Sequence, residues 1–144
     1  MESLLEDLQS IKRELASLKG IFASPPKDPV LKIKAILYQI LILRERIQAK
    51  VYISRNEEAI HIINGSPFTN IKSFFDQNMR SLTKEDMEIF ILLKEELFPM
   101  LTSFEEACSD LETIFQPKKI KIFYEKEYLN FKNDKKNASN RKML

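Results

Sequence analysis

The sequence predicts an all-α protein with an N-terminal coiled-coil-like helical arm, a bundle of three or four helices, and a basic C-terminal tail. Glycine occurs only at Gly20 and Gly65, whereas sheets need frequent tight turns. Lys, Glu, Leu and Ile dominate the composition and favour long helices. Apolar residues also recur at helical spacing along most of the chain. We expect the arm at residues 1–24, the bundle at 29–116, and a basic C-terminal helix and tail at 117–144.

The first helix is predicted over residues 3–21 by a narrow apolar seam. Its members are separated alternately by four and three residues, as in a coiled coil. The seam residues are Leu4, Leu8, Ile11, Leu15, Leu18 and Phe22. Beside them, Asp7 and Glu14 could pair with Lys12 and Lys19 of a parallel second copy. The seam therefore predicts oligomerisation, as a homodimer or with another helical protein, or else packing of the same residues inside the bundle.

A proline-rich elbow precedes the second helix. Pro25 and Pro26 break the first helix, and Asp28 is the expected N-cap with Pro29 in the first helical position. Apolar residues then occupy most of the circumference, which predicts a central, buried helix. We expect this helix to reach at least Val51, with an extension to Ile63 left open.

Two further helices follow in the predicted bundle. Ser66 and Pro67 begin a short third helix. Residues 83–86 resemble a capping box with Asp in the last position, and they begin a long fourth helix that contains Pro99. We expect four residues of the bundle to be nearly buried, namely Leu37, Ile40, Phe90 and Phe98. Residues 117–124 are consistent with a strand or a helix, and we favour a short helix over 120–131.

Several classes of catalytic site are excluded by composition. Two distant glycines cannot build a dinucleotide or phosphate-binding loop, and one Cys with one His cannot form a zinc site unless carboxylates complete it. We therefore expect no enzyme activity, no metal and no cofactor. Acidic residues occupy the place of a signal peptide's basic region, and the most apolar window, residues 35–43, is far shorter than the roughly 20 residues of a membrane helix. We expect a cytoplasmic protein, with the nucleus left open, and no membrane partner.

Residues 55–61 read Arg-Asn-Glu-Glu-Ala-Ile-His. This stretch resembles the R-x(4–6)-H signature of HEPN ribonucleases, which are small all-α dimers. The resemblance implies that Arg55 and His61 would act at an RNA phosphodiester. It covers seven residues and lies on the second predicted helix, whereas that family carries the motif on a late helix. The alternative is an exposed helix end with an ordinary histidine.

The charge is unevenly distributed. Residues 1–116 hold 14 Lys or Arg against 18 Asp or Glu, whereas residues 117–144 hold 9 against 3. Lysines interleaved with aromatic residues can neutralise phosphates while the rings stack on bases. The residues expected to do so are Lys118, Lys119, Lys121, Lys126, Lys132, Lys135 and Lys136. The alternative is a tail that only solubilises the chain.

Taken together, these patterns favour a non-catalytic helical interaction module, an adaptor or assembly subunit that acts through oligomerisation and helix–helix contacts. A nucleic-acid-binding accessory protein that uses the basic tail is the second hypothesis. A HEPN-like ribonuclease is the third.

Overall fold

The computed structural model describes residues 2–116, and every regular element among them is helical. The elements are α1 (Glu2–Ala23), α2 (Pro29–Ser54), α3 (Glu57–Ile63), α4 (Ser66–Asn78), a 3₁₀ helix (Met79–Ser81) and α5 (Met87–Ile114). The predicted all-α class is confirmed. The predicted basic tail, and the choice between strand and helix for residues 117–124, lie outside the described residues.

Residue contacts divide the chain into the units Met1–Glu112 and Thr113–Leu144. The first unit contains α1 to α4 and nearly all of α5. The segment predicted as a separate arm, residues 1–24, therefore belongs to the same compact unit as the helices that follow it.

The apolar seam of α1 is buried inside this unit. All six seam residues, from Leu4 to Phe22, are at most 1% exposed. The most extensive contact of α1 is with α2. At the end of the seam, the Phe22 ring lies 5.9 Å from that of Phe90 and 6.3 Å from that of Phe98 in α5. The structure thus shows in-chain packing of the seam, and a second copy has no access to it in this fold.

A buried carboxylate joins α1 to α2. Asp7 is 3% exposed, and its two oxygens contact the side chains of Arg46, at 2.9 Å, and Lys50. Two cations compensate the cost of burying one anion. Because Asp7 near the start of α1 meets residues near the end of α2, the two helices run antiparallel.

The basic flank of α1 pairs with α5. Lys12 Nζ lies 2.9 Å from Glu112 Oε1, and Lys19 Nζ lies 2.7 Å from Glu105 Oε1. These are the lysines that the heptad pattern assigned to acids of a second copy. In this fold they contact acids of the same chain.

The fourth helix lies beside both α2 and α5. The Tyr38 and Phe75 rings meet edge to face at 5.1 Å, and the Phe68 and Phe104 rings are 4.8 Å apart. The contacts therefore form a ring in the order α1, α2, α4, α5. In such a ring α2 and α5 occupy opposite corners.

An arginine lies inside the contact between α2 and α4. Arg44 is buried, and its Nε donates a hydrogen bond of 2.9 Å to the Phe68 carbonyl oxygen. Its Nη1 donates to Glu45 and to Gln48. Desolvation lowers the pKa of the Arg44 guanidinium, while Glu45 and Asp76 act in the opposite direction.

The first turn of α2 is capped from a distant part of the chain. Asp28 occupies the N-cap position, as predicted, but its side chain makes no capping hydrogen bond. Instead the Glu85 carboxylate accepts hydrogen bonds from the backbone N–H groups of Val30 and Leu31, each at 2.9 Å. The capping box predicted at residues 83–86 is therefore wrong, since α5 begins only at Met87 and Glu85 serves α2.

The capping by Glu85 can be tested by stability. Because two N–H groups lose their acceptor, we expect Glu85→Ala to lower the free energy of unfolding by about 1 kcal/mol, the usual cost of losing an N-cap. Asp28→Ala should cost clearly less. Urea unfolding followed by circular dichroism measures both, and an Asp28→Ala loss equal to that of Glu85→Ala would contradict this assignment.

The second helix ends at Ser54 and does not extend to Ile63. Arg55 adopts the left-handed conformation, with φ of 58°, and ends the helix. Asn56 then caps α3, since its side-chain oxygen accepts from the Ala59 N–H at 3.0 Å. The predicted minimum extent to Val51 is confirmed.

The predicted core is correct at three of four positions. Leu37, Ile40 and Phe90 are buried, but Phe98 is 39% exposed. Phe98 lies at the rim of α5, where the Lys19 ammonium stands 5.7 Å from its ring centroid. The ring therefore covers the edge of the core.

Candidate interaction surface

The inner face of α2 forms a large part of the core. Its apolar residues recur every three or four positions and are all buried. They are Val30, Ile33, Leu37, Ile40, Ile47 and Val51. This face alone accounts for the position of α2 in the bundle.

The opposite side of the same helix is also apolar, but it is exposed. We call it the α2 outward face, defined by Leu31, Ala35, Tyr38, Ile42, Ala49 and Ile53. These positions follow helical spacing and lie about 180° from the core stripe at 100° per residue. The exposed fractions of the four large side chains are 46% for Leu31, 45% for Tyr38, 51% for Ile42 and 77% for Ile53.

The outward faces of α1 and α4 differ in chemistry. The exposed positions of α1 hold polar or small residues, among them Glu6, Gln9, Arg13 and Ser17. Those of α4 hold Thr69, Asn70, Ser73, Asp76 and Gln77. A surface helix of a self-sufficient bundle normally presents a polar outer face. The α2 outward face departs from this pattern along a helix of 26 residues.

Charged residues border and interrupt the α2 outward face. Glu45 and Arg46 occupy the gap between Ile42 and Ala49, and both are exposed. Lys32 is exposed near the start of the helix. Over its length α2 carries five Lys or Arg residues and one acidic residue. The surface is therefore apolar at its centre and basic at its edges.

The two tyrosines of α2 have fixed positions. Tyr38 packs edge to face on Phe75 of α4, and the Tyr52 hydroxyl donates a 2.6 Å hydrogen bond to the Asn64 side-chain oxygen. An aromatic side chain held in one rotamer loses little entropy when a partner covers it.

A second set of exposed apolar residues lies on the first half of α5. Their exposed fractions are 66% for Met87, 47% for Ile91, 52% for Leu92 and 39% for Phe98. The exposed carboxylates of Glu88 and Glu95 stand among them. We call the set Met87, Glu88, Ile91, Leu92, Glu95 and Phe98 the α5 acidic face.

The two residues of the ribonuclease-like pattern are not brought into one cavity. Arg55 is the left-handed residue that ends α2, whereas His61 lies on α3. His61 borders an open cleft of about 400 Å³, together with Ser66, Ser103, Glu106 and Asp110. Arg55 does not line this cleft.

The cleft does not contain an assembled catalytic pair. Within the described part of the chain, no hydrogen bond or ion pair joins the His61 imidazole to the polar residues around it. Among the same residues, no group of His, Cys, Asp or Glu is arranged to hold a metal ion. Burial raises the pKa of the Cys108 thiol, which keeps that thiol in its poorly nucleophilic protonated form.

The other predicted site residues are accounted for as follows. The six seam residues of α1 are together, but in the core. The seven lysines from Lys118 to Lys136 lie outside the described residues, and their binding to nucleic acid stays a prediction. No helix among residues 2–116 has an apolar stretch long enough to cross a bilayer.

Comparisons with protein-family models, with curated proteins and with solved structures give no match to this chain.

Sequence reasoning missed the α2 outward face, although the signal was present. The second helix was correctly described as apolar over most of its circumference, and this was taken to mean burial on all sides. A bundle of four long helices has no central position, because every helix keeps one side towards solvent. An apolar circumference in such a bundle therefore predicts an exposed apolar face.

Proposed function

We propose that this protein is a non-catalytic interaction module, an assembly subunit that associates with further copies of itself through the α2 outward face. The observation that carries the proposal is the run of six exposed apolar positions from Leu31 to Ile53 on a helix whose inner side already packs in the core. Contiguous exposed apolar surface on a folded domain marks sites of association.

The size of this surface favours a modest affinity. A helix of 26 residues is about 39 Å long and about 10 Å wide, so its footprint is on the order of 400 Å². Stable specific interfaces bury roughly 800 Å² on each partner. Association through α2 should therefore be weak and reversible, with a dissociation constant in the micromolar range.

The proposal moves the contact from the α1 seam to α2. Self-association through the seam would require α1 to leave the bundle and dock on another copy, which exchanges one set of buried contacts for the same set. The α2 outward face needs no such rearrangement. The basic tail remains a separate, second candidate for binding nucleic acid, supported by its charge alone.

Sedimentation velocity of the full chain over a range of micromolar concentrations tests the proposal. We expect the wild type to sediment faster as its concentration rises, and Ile42→Asp to remain monomeric. Ala49→Asp should weaken association, whereas Ala16→Asp should not. The last two make a matched pair, since both change an exposed alanine in the second half of a helix.

Circular dichroism of each variant should match that of the wild type, because all three substituted side chains are exposed. A wild type that stays monomeric at high micromolar concentration contradicts the proposal. So does association that Ile42→Asp leaves intact.

A further inference from the structure

The surface that covers the α2 outward face can be identified from charge. The α2 helix carries five basic residues and one acidic residue, whereas α5 carries seven acidic residues and one basic residue. Both helices expose large apolar side chains, and α1 and α4 do not present comparable faces. The chain thus has two sticky faces of opposite charge on two different helices.

The pairing of these faces follows from electrostatic complementarity. Two α2 outward faces would bring Lys32 and Arg46 of one copy close to the same residues of another. Two α5 acidic faces would bring Glu88 and Glu95 together. Only a mixed contact pairs opposite charges around an apolar centre, and like charges brought together across an interface suppress the other two pairings.

We propose that the α2 outward face of one copy binds the α5 acidic face of a second copy. This inference rests on the proposed function and adds to it the identity of the partner surface. In the mixed contact, the apolar side chains around Ile42 pack on those around Ile91. Basic side chains at the edges of α2 then lie near the carboxylates of α5.

The positions of the two helices determine the kind of assembly. In the ring of contacts α1, α2, α4, α5, the helices α2 and α5 occupy opposite corners, so their outward faces point in opposite directions. The contact therefore joins two different surfaces and leaves one of each kind unoccupied in every pair. Such a head-to-tail contact adds further copies until a ring closes or the chains end.

A mixing experiment with two blocked variants tests this arrangement. Ile42→Asp blocks the α2 outward face, and Ile91→Asp blocks the α5 acidic face. Each variant alone should be monomeric, because every contact needs one face of each kind. An equimolar mixture should form a 1:1 dimer and nothing larger, since only one compatible pair of faces remains.

The wild type under the same conditions should form species larger than a dimer as its concentration rises. Its association should weaken with added salt, because salt screens the attraction between opposite charges. A contact between two α2 faces should instead strengthen with salt. Light scattering with size-exclusion chromatography measures the masses, and circular dichroism checks that both variants keep their helices.

The outcomes separate this inference from the proposed function. If the wild type stays monomeric, or if Ile42→Asp associates by itself, both are wrong. If the wild type associates and Ile91→Asp still associates by itself, the proposed function stands and the pairing with α5 is wrong. If both variants are monomeric and their mixture is also monomeric, the pairing is again wrong.

Discussion

Replacing Leu15 by aspartate is expected to unfold the chain. Leu15 lies in the middle of the α1 seam and is fully buried within the single chain. The substitution removes a core side chain and places a carboxylate where no cation is in position to pair with it. Together these effects cost roughly 5 kcal/mol or more. Since a domain of this size is stable by only about 5–15 kcal/mol, we expect a large loss of helical circular dichroism or a much lower melting temperature.

The adjacent residue provides the control. Ala16 is exposed, so Ala16→Asp introduces the same charge one position along α1 and should leave the melting temperature nearly unchanged. A folded, monomeric Leu15→Asp with the stability of the wild type would show that the seam belongs between copies. A melting temperature that rises with protein concentration would point the same way, because the stability of an obligate dimer depends on concentration.

The α1 seam illustrates what a heptad pattern can and cannot predict. Alternating steps of four and three residues require a neighbouring helix, and the structure supplies one. The pattern does not distinguish a helix of the same chain from one of another copy, because the packing geometry is the same. Here the proline elbow returns the chain directly along α1, so α2 is the nearest helix available.

The ends of the helices were less predictable than their middles. The apolar periodicity located both α1 and α2, but the acceptor for the first turn of α2 is Glu85, 55 residues after Val30. The end of α2 depends on the left-handed conformation of Arg55, a residue type that rarely adopts it. Interactions between distant residues decide such positions, and local sequence patterns do not contain them.

The candidate surface could be predicted in part. The sequence identifies α2 as apolar on more than one side, and α5 as a long amphipathic helix rich in acidic residues. Which apolar residues face outward depends on the number of neighbours that each helix has. Met87 and Ile91 follow the apolar stripe of α5, yet they lie beyond the reach of α1 and α4 and remain exposed.

The two faces of α2 should respond very differently to the same type of truncation. Leu37 is 1% exposed, and Ile42, on the other side of the same helix, is 51% exposed. Leu37→Ala should lower the free energy of unfolding by about 2–5 kcal/mol, since it loses buried methyl groups and leaves a cavity. Ile42→Ala removes a side chain that is half in solvent, and alanine favours a helix over isoleucine by a few tenths of a kcal/mol. Its net effect should therefore be less than about 1 kcal/mol.

Urea unfolding at low protein concentration, where association is negligible, measures both changes. At high concentration the order should reverse for assembly, with Ile42→Ala weakening association and a folded Leu37→Ala retaining it. Equal losses of stability in the two variants would mean that Ile42 is covered within the chain. The α2 outward face would then be a second core contact, and no surface would be left there for another copy to bind.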